Sequence, residues 1–301
     1  KVSMPLVMGT LPEGYELLAH GTAEQRAAYL DPCMNGEKIS CFAVTESTVG
    51  SEEDDVALVA RRDGDHLVLN GTKIFVASGD VADFAIVVAR TDAKASVQDG
   101  VSCVVVDRGA SGYRIGEAHR TMGFKGINYV ELHFEDCKVP VDQVLGEVDK
   151  GFGLARSYRD DMRLKISAWC VGMGERLLTG AKEYAKQRQT FGKPIAERQA
   201  IQWMVAESAT DVRAARYMAY HAAWKKSLGE DAHKEVAMVK VFATEMFNRL
   251  ADRALQIHGG LGYTKDLPYE RFYRDARMMR VLWGSSETMR HDISEYILSE
   301  A

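Results

Sequence analysis

Near its C-terminus the chain reads Val281-Leu282-Trp283-Gly284-Ser285-Ser286-Glu287-Thr288-Met289-Arg290. Ser285 or Ser286 suits a helix N-cap, and Glu287 in the first turn offsets the helix dipole. Residues at a helix N-terminus often face a ligand, which draws attention to Trp283. An indole donates a hydrogen bond but takes no proton. In Cys41-Phe42-Ala43-Val44-Thr45-Glu46-Ser47-Thr48-Val49-Gly50-Ser51 a short apolar run ends in a hydroxyl- and glycine-rich loop. Backbone N–H groups there can bond the edge of a flat heterocycle or a pyrophosphate, although an ordinary β-turn explains the same residues. Gln256-Ile257-His258-Gly259-Gly260-Leu261-Gly262-Tyr263 ends a helical pattern with clustered glycines. A C-cap accounts for one of them, and close approach of a ligand or another chain for the rest. Arg188-Gln189-Thr190-Phe191-Gly192-Lys193-Pro194 is either a solvated helix end or a phosphate site built on the arginine.

Three segments must position these residues. Residues 1–38 look helical, with a capping-box-like start at Thr22-Ala23-Glu24-Gln25. From 39 to 148 the signals are β-type. His66–Val76 is expected to be two strands joined at Asn70-Gly71, the strongest short hairpin cue. Phe84–Ala89 and Val101–Val106 are apolar runs that suit buried strands, while Val130, Leu132 and Phe134 alternate with polar residues. From 149 to 301 the period is helical: Ile166, Cys170, Met173, Leu177, Ala181 and Tyr184; then Ile201, Val205, Ala209, Val212, Ala215 and Ala219; then Val239, Phe242, Met246, Leu250, Ala254 and Ile257. Three helices of about 25 residues and a shorter one after Gly284 imply a four-helix bundle. The fold class is α+β: a partial N-terminal helical domain, a middle antiparallel β-barrel-like domain and a C-terminal four-helix bundle.

The 301 residues are 46% hydrophobic and 27% charged, with a net charge of -5, which gives no general pull toward nucleic acid or an anionic membrane. No apolar run reaches the roughly 20 residues of a membrane helix. Five scattered cysteines form no CxxC pair, so buried free thiols in a reducing cytoplasm are expected. The histidines show no metal-ligand spacing. The chain opens on Lys1, and natural N-terminal sequence is expected to be missing from it.

In this order and at these separations, the motifs resemble the acyl-CoA dehydrogenase flavoprotein family. His20-Gly21-Thr22-Ala23-Glu24-Gln25, Leu69-Asn70-Gly71-Thr72-Lys73 and Tyr273-Arg274-Asp275-Ala276-Arg277 extend the match through essentially the whole chain. The resemblance implies that FAD lies between a β-domain and a helical bundle, and that most of a first helical domain is absent here. It implies that Phe42, Val44 and Thr45 line one flavin edge, that Gly50 and Ser51 approach the flavin and the CoA, and that Phe75 stacks near the ring. Ala77 stands where many members carry a threonine, with Ser78 adjacent. Arg188 and Phe191, with Gln256, Gly259 and Gly260, would bind the adenine and pyrophosphate half of FAD held by a neighbouring subunit. Ser285 and Glu287 would complete the FAD contacts, and Asp160, Arg163, Ser51 and Trp283 would lie by the acyl-CoA. A homotetramer or a heterotetramer with a related subunit is implied, with electron-transfer flavoprotein or another electron acceptor.

The family reaction is α,β-desaturation of an acyl-CoA, in which a carboxylate removes the α-proton. By resemblance that carboxylate belongs at position 283, or in some relatives at 162, and here Trp283 and Met162 stand there. Four readings follow: a flavoenzyme with a displaced base, Asp160 and Asp161 being the nearest carboxylates; a subunit whose partner carries the base; other flavin chemistry such as oxidation or hydroxylation; or a non-catalytic relative. The indole also narrows the space for a long straight acyl chain, or simply fills the emptied position as core.

Overall fold

The computed structural model describes residues 14–47 and 56–299. The chain divides into two compact units, residues 1–158 and 159–301.

In the first unit, helical turns α1 (Tyr15–Leu18), α2 (Ala23–Gln25) and α3 (Asp31–Met34) flank a π-type turn at Arg26–Leu30. The capping box is present: Gln25 N donates to Thr22 Oγ1 at 3.2 Å, and Thr22 N donates to Gln25 Oε1 at 2.8 Å. The Gln25 amide also donates to the carbonyls of Asp142 and Val144, at 2.6 and 3.0 Å, which ties this segment to the edge of the sheet.

That sheet comprises β1 (Ser40–Ala43), β2 (Val59–Asp63), β3 (His66–Ala77), β4 (Phe84–Arg90), β5 (Val101–Asp107), β6 (Tyr113–Ala118), β7 (Tyr129–Pro140) and β8 (Val144–Leu145), with a helical turn α4 (Val97–Gly100) leading into β5. Its order is β6-β7-β3-β2-β4-β5-β8, with β1 beside β4. Pairing is antiparallel except where β1 and β2 meet β4. The apolar runs β4 and β5 are buried almost throughout, and Val130, Leu132 and Phe134 face the core from β7, as their alternation requires.

The expected hairpin at Asn70-Gly71 is corrected: β3 runs unbroken from His66 to Ala77. The turn lies earlier, at Gly64-Asp65, where Asp63 pairs with His66 and Gly64 takes φ 62°. Asn70-Gly71 instead faces a bulge, because between Leu69 and Gly71 the partner strand moves three residues, from Cys137 to Phe134. Asn70 fastens the bulge by accepting from Asp136 N at 2.9 Å and donating to Asp136 Oδ1 at 3.2 Å. A second irregularity compensates: from Lys73 to Val76 β3 takes three steps against two on β7, and Phe75 falls in the extra length at φ 54°.

The second unit contains most of α5 (Gly151–Gln187), then a hairpin of β9 (Gln189–Thr190) and β10 (Lys193–Pro194), then α6 (Gln199–Ser227), α7 (His233–Tyr263), α8 (Tyr269–Met279) and α9 (Ser286–Ser299). α7 packs against α6, α8 and α9. Its buried stripe includes Val239, Met246, Leu250, Ala254 and Ile257, the spacing that predicted it. The helix α8 is additional to the helices expected from periodicity, because only Tyr269, Ala276 and Met279 among its apolar residues are buried.

Gly71 has φ 144°, and a Cβ there would lie 3.0 Å from Leu58 Cα. Gly71→Ala is therefore expected to cost about 1–3 kcal/mol in denaturant unfolding. An unchanged midpoint would show that Leu58 can move aside.

Candidate functional site

In the first unit the end of β1 and the second half of β3 are brought together. Ile74 N donates to Thr45 O at 2.8 Å, and Lys73 Nζ donates to Val44 O at 3.0 Å. Glu46 supports the same corner: it pairs with Lys73 Nζ at 2.5 Å and accepts from Ala57 N and Leu58 N at 2.8 and 3.0 Å. Burial pushes the Lys73 amine down to about 8, with Glu46 acting in the opposite direction. Phe42 is buried edge-on against Tyr158 at 5.0 Å. Thr45 is exposed and Phe75 is 55% exposed, its ring 4.5 Å from that of His119. Ala77 and Ser78 are half-buried; Ser78 takes φ 58° and its N–H donates to Asn128 O at 2.9 Å. An aromatic residue at positive φ is uncommon; the extra length of β3 opposite β7 sets the backbone of Phe75, and the large exposed ring is what that irregularity does not account for. Gly50 and Ser51 lie outside the described residues.

In the second unit, the end of α5 meets the glycine turn of α7. His258 is sandwiched between Tyr184 and Tyr269, with ring centroids at 4.3 and 3.7 Å, and its Nδ1 lies 2.7 Å from Ala254 O. Gly180 admits the Tyr269 hydroxyl, which would sit 2.3 Å from a Cβ there. Arg188 follows Tyr184 by one helical turn. It is exposed. Phe191 occupies the β9–β10 turn at φ 50°, is 96% exposed, and lies under the Arg198 guanidinium at 5.5 Å. Gly259 is left-handed at φ 57°, and a Cβ on Gly262 would strike Leu255 O. Gly260 meets nothing within 4 Å, so the chain's own packing does not demand a glycine there. Gln256 beside it is exposed.

The loop before α9 is held from inside. Trp283 stands at φ 58°, its carbonyl accepting from Arg163 Nε at 2.9 Å, and Lys240 Nζ donates to Gly284 O. Ser285 is the N-cap, accepting from Thr288 N at 3.1 Å. Backbone N–H groups at the helix start hold the exposed Glu287 carboxyl below its ordinary range. Arg163 has no exposed surface and pairs with Asp160 and Asp292, each at 3.4 Å. Asp160 also lies 2.8 Å from His233 Nδ1, and Asp161 pairs with Lys226 at 2.8 Å. Met162 is buried. Asp160 and Asp161, the carboxylates nearest Met162 in sequence, are thus both engaged by cations.

Sequence reasoning missed Glu46, Lys73, His119, His233, Lys240 and Asp292. Lys73 left one signal, a charge in the inward phase of Leu67 and Leu69; the partners of His233 lie 73 and 59 residues away in sequence and left none. Among the described residues no His, Cys, Asp and Glu cluster can hold a metal ion, and no helix is long and apolar enough to cross a membrane. Removing the Glu46 carboxylate would strand a buried ammonium and two backbone donors. Glu46→Ala should therefore cost about 3–5 kcal/mol by chemical denaturation, and a loss under 1 kcal/mol would mean that Lys73 finds another partner.

Comparison with known proteins connects these parts. Residues 41–137 match the family model for the acyl-CoA dehydrogenase middle domain, and residues 149–298 that for the acyl-CoA dehydrogenase C-terminal domain. The 3-(aryl)acrylate reductase of Clostridium sporogenes is 39% identical over 95% of this chain and 75% of its own length. A subunit of the caffeyl-CoA reductase-Etf complex of Acetobacterium woodii is 38% identical, over 95% of this chain and 76% of that protein. The structure of butyryl-CoA dehydrogenase from Megasphaera elsdenii superposes with a TM-score of 0.90 at 32% identity, covering 95% of this chain and 75% of that one. With both domain matches in place and relatives aligned along nearly its full length, the chain belongs to the acyl-CoA dehydrogenase family.

Proposed function

We propose that this chain is a FAD-dependent oxidoreductase of the acyl-CoA dehydrogenase type, acting on the α,β carbon–carbon bond of a CoA thioester, with its proton acceptor in an unusual place or on a partner subunit. The observation that carries the reading is the pair of exposed aromatics, Phe75 and Phe191, each in left-handed backbone. The β3 irregularity and the two-residue β9–β10 turn set that backbone, and neither requires a large exposed ring, whereas a flat ligand to stack on does. The residues present fit the cofactor. Phe42, Val44, Thr45, Phe75, Ala77 and Ser78 would hold the ring system. Arg188, Phe191, Gln256, Gly259 and Gly260 would hold the adenine and pyrophosphate half, and Ser285 and Glu287 would add contacts from α9. When bound, FAD supplies the two-electron exchange.

The chain's own residues then orient the thioester and exclude water, and the peptide N–H of residue 283 is a donor whatever its side chain. Neither Met162 nor Trp283 takes a proton, and Asp160 and Asp161 are held in ion pairs. By likeness to the arylacrylate and caffeyl-CoA reductases, the substrate class extends to α,β-unsaturated acyl thioesters taken in the reductive direction, with electron-transfer flavoprotein as the exchange partner.

An assembly of like or related chains belongs to this reading. Trp203, Tyr217 and Trp224 recur at multiples of seven along α6 and are 57–60% exposed, a stripe that suits another helix surface. A related partner chain bearing the glutamate would also supply the missing base. Low flavin content restored by such a partner favours that arrangement over a self-sufficient enzyme.

Gly260→Leu should leave apoprotein stability within about 0.5 kcal/mol yet lower FAD affinity, as read by flavin fluorescence titration. Equal affinity would remove Gly260 from the cofactor site. Trp283→Glu should raise acyl-CoA desaturation by about 100-fold or more, followed as anaerobic bleaching of the flavin over a panel of acyl-CoAs. A variant that binds both FAD and acyl-CoA and stays inert would show that the missing carboxylate is not the obstacle.

A further inference from the structure

Arg163 reaches the Trp283 carbonyl from within a buried cluster that includes His233 and Asp292, two residues to which the proposed function gives no part. His233 Nδ1 lies 2.8 Å from Asp160 Oδ2, its Nε2 lies 3.7 Å from Asp292 Oδ2, and both carboxylates lie 3.4 Å from Arg163 NH1. His233 is 7% exposed and Asp160 9%. Two carboxylates and one guanidinium leave a net negative charge, which an imidazole bearing N–H on both nitrogens cancels. Burial raises the Asp292 carboxyl, but the nearby His233 imidazole and the charge of Arg163 outweigh this and hold it below the ordinary range. The groups around His233 are Asp160 and Arg163 from α5, Asp292 and Tyr296 from α9, and Asp231, which accepts from His233 N at 3.0 Å and from the Tyr296 hydroxyl. The charge of Arg159 also acts on Asp292.

We propose that His233 and Asp292 are positioning residues for the Trp283 loop: with Asp160 they aim the Arg163 guanidinium, whose Nε fixes the Trp283 carbonyl and so the left-handed backbone that presents the indole. The inference rests on the flavoenzyme reading only for its bearing on catalysis. Loss of the imidazole proton sets a lone pair against a carboxylate, and Arg163 must then rebalance between two anions while bonded to the loop.

The test uses the full chain labelled with 5-fluorotryptophan. Of its four tryptophan 19F resonances, that of Trp283 is assigned by its loss in Trp283→Phe. Across the pH range in which the protein stays folded, the Trp283 resonance should move in a single step that depends on the His233 imidazole. His233→Gln should abolish that movement, and Asp292→Asn should displace the resonance and alter its titration. A Trp283 resonance indifferent to pH in the wild type, or a pH response that survives in His233→Gln, overturns the proposal. If His233→Gln does not fold, the wild-type titration decides alone. A purely structural role would lower the melting temperature and leave the Trp283 line in place. The signal needs no flavin, so a protein that refuses FAD but shows a titrating Trp283 sinks the flavin reading and keeps this one, and a FAD-binding protein with an invariant line does the reverse.

Discussion

Buried cations dictate the loops of this protein. Lys73, Arg163 and Lys240 have no exposed surface, and an ionised group out of water must be surrounded by acceptors. Each finds part of its shell in a main-chain carbonyl outside regular structure: Val44 for Lys73, Trp283 for Arg163, Gly284 for Lys240. Loop backbone thereby becomes as determined as a strand. It explains how a tryptophan at φ 58° keeps its conformation although the left-handed region disfavours so large a side chain.

The parts of the fold legible in the sequence are those governed by neighbours in sequence. The Thr22–Gln25 cap involves residues three apart, β4 and β5 announce themselves as continuous apolar runs, and the stripe of α7 repeats at the helical period. Asn70-Gly71 misled because the same pair that turns a hairpin also tolerates a bulge, and the choice is made by Asp136 on another strand. α8 escaped because five of its eleven side chains are charged and its burial depends on a few contacts, Tyr269 against His258 among them.

The candidate site divides along the same line. The glycine turn and the Phe191 hairpin carry local signatures, left-handed backbone and a helix end, so their residue types point to them. The supports do not: Glu46 serves a lysine 27 residues away, and Asp292 serves an arginine 129 residues away. A carboxylate in sequence is a potential base, whereas in the folded chain Asp160 and Asp161 already serve as counter-ions. The anions beside Met162 are thus committed to cations.

The five sulfhydryl groups have a practical consequence. All are buried, and burial lifts the Cys103 thiol to about 12 and Cys137 to about 11, with Cys33 and Cys170 also raised. Only the thiolate attacks an alkylating reagent, and burial makes that form scarce at neutral pH. The native molecule therefore protects its own sulfur, and the pace of iodoacetamide uptake would register how often the β-core opens.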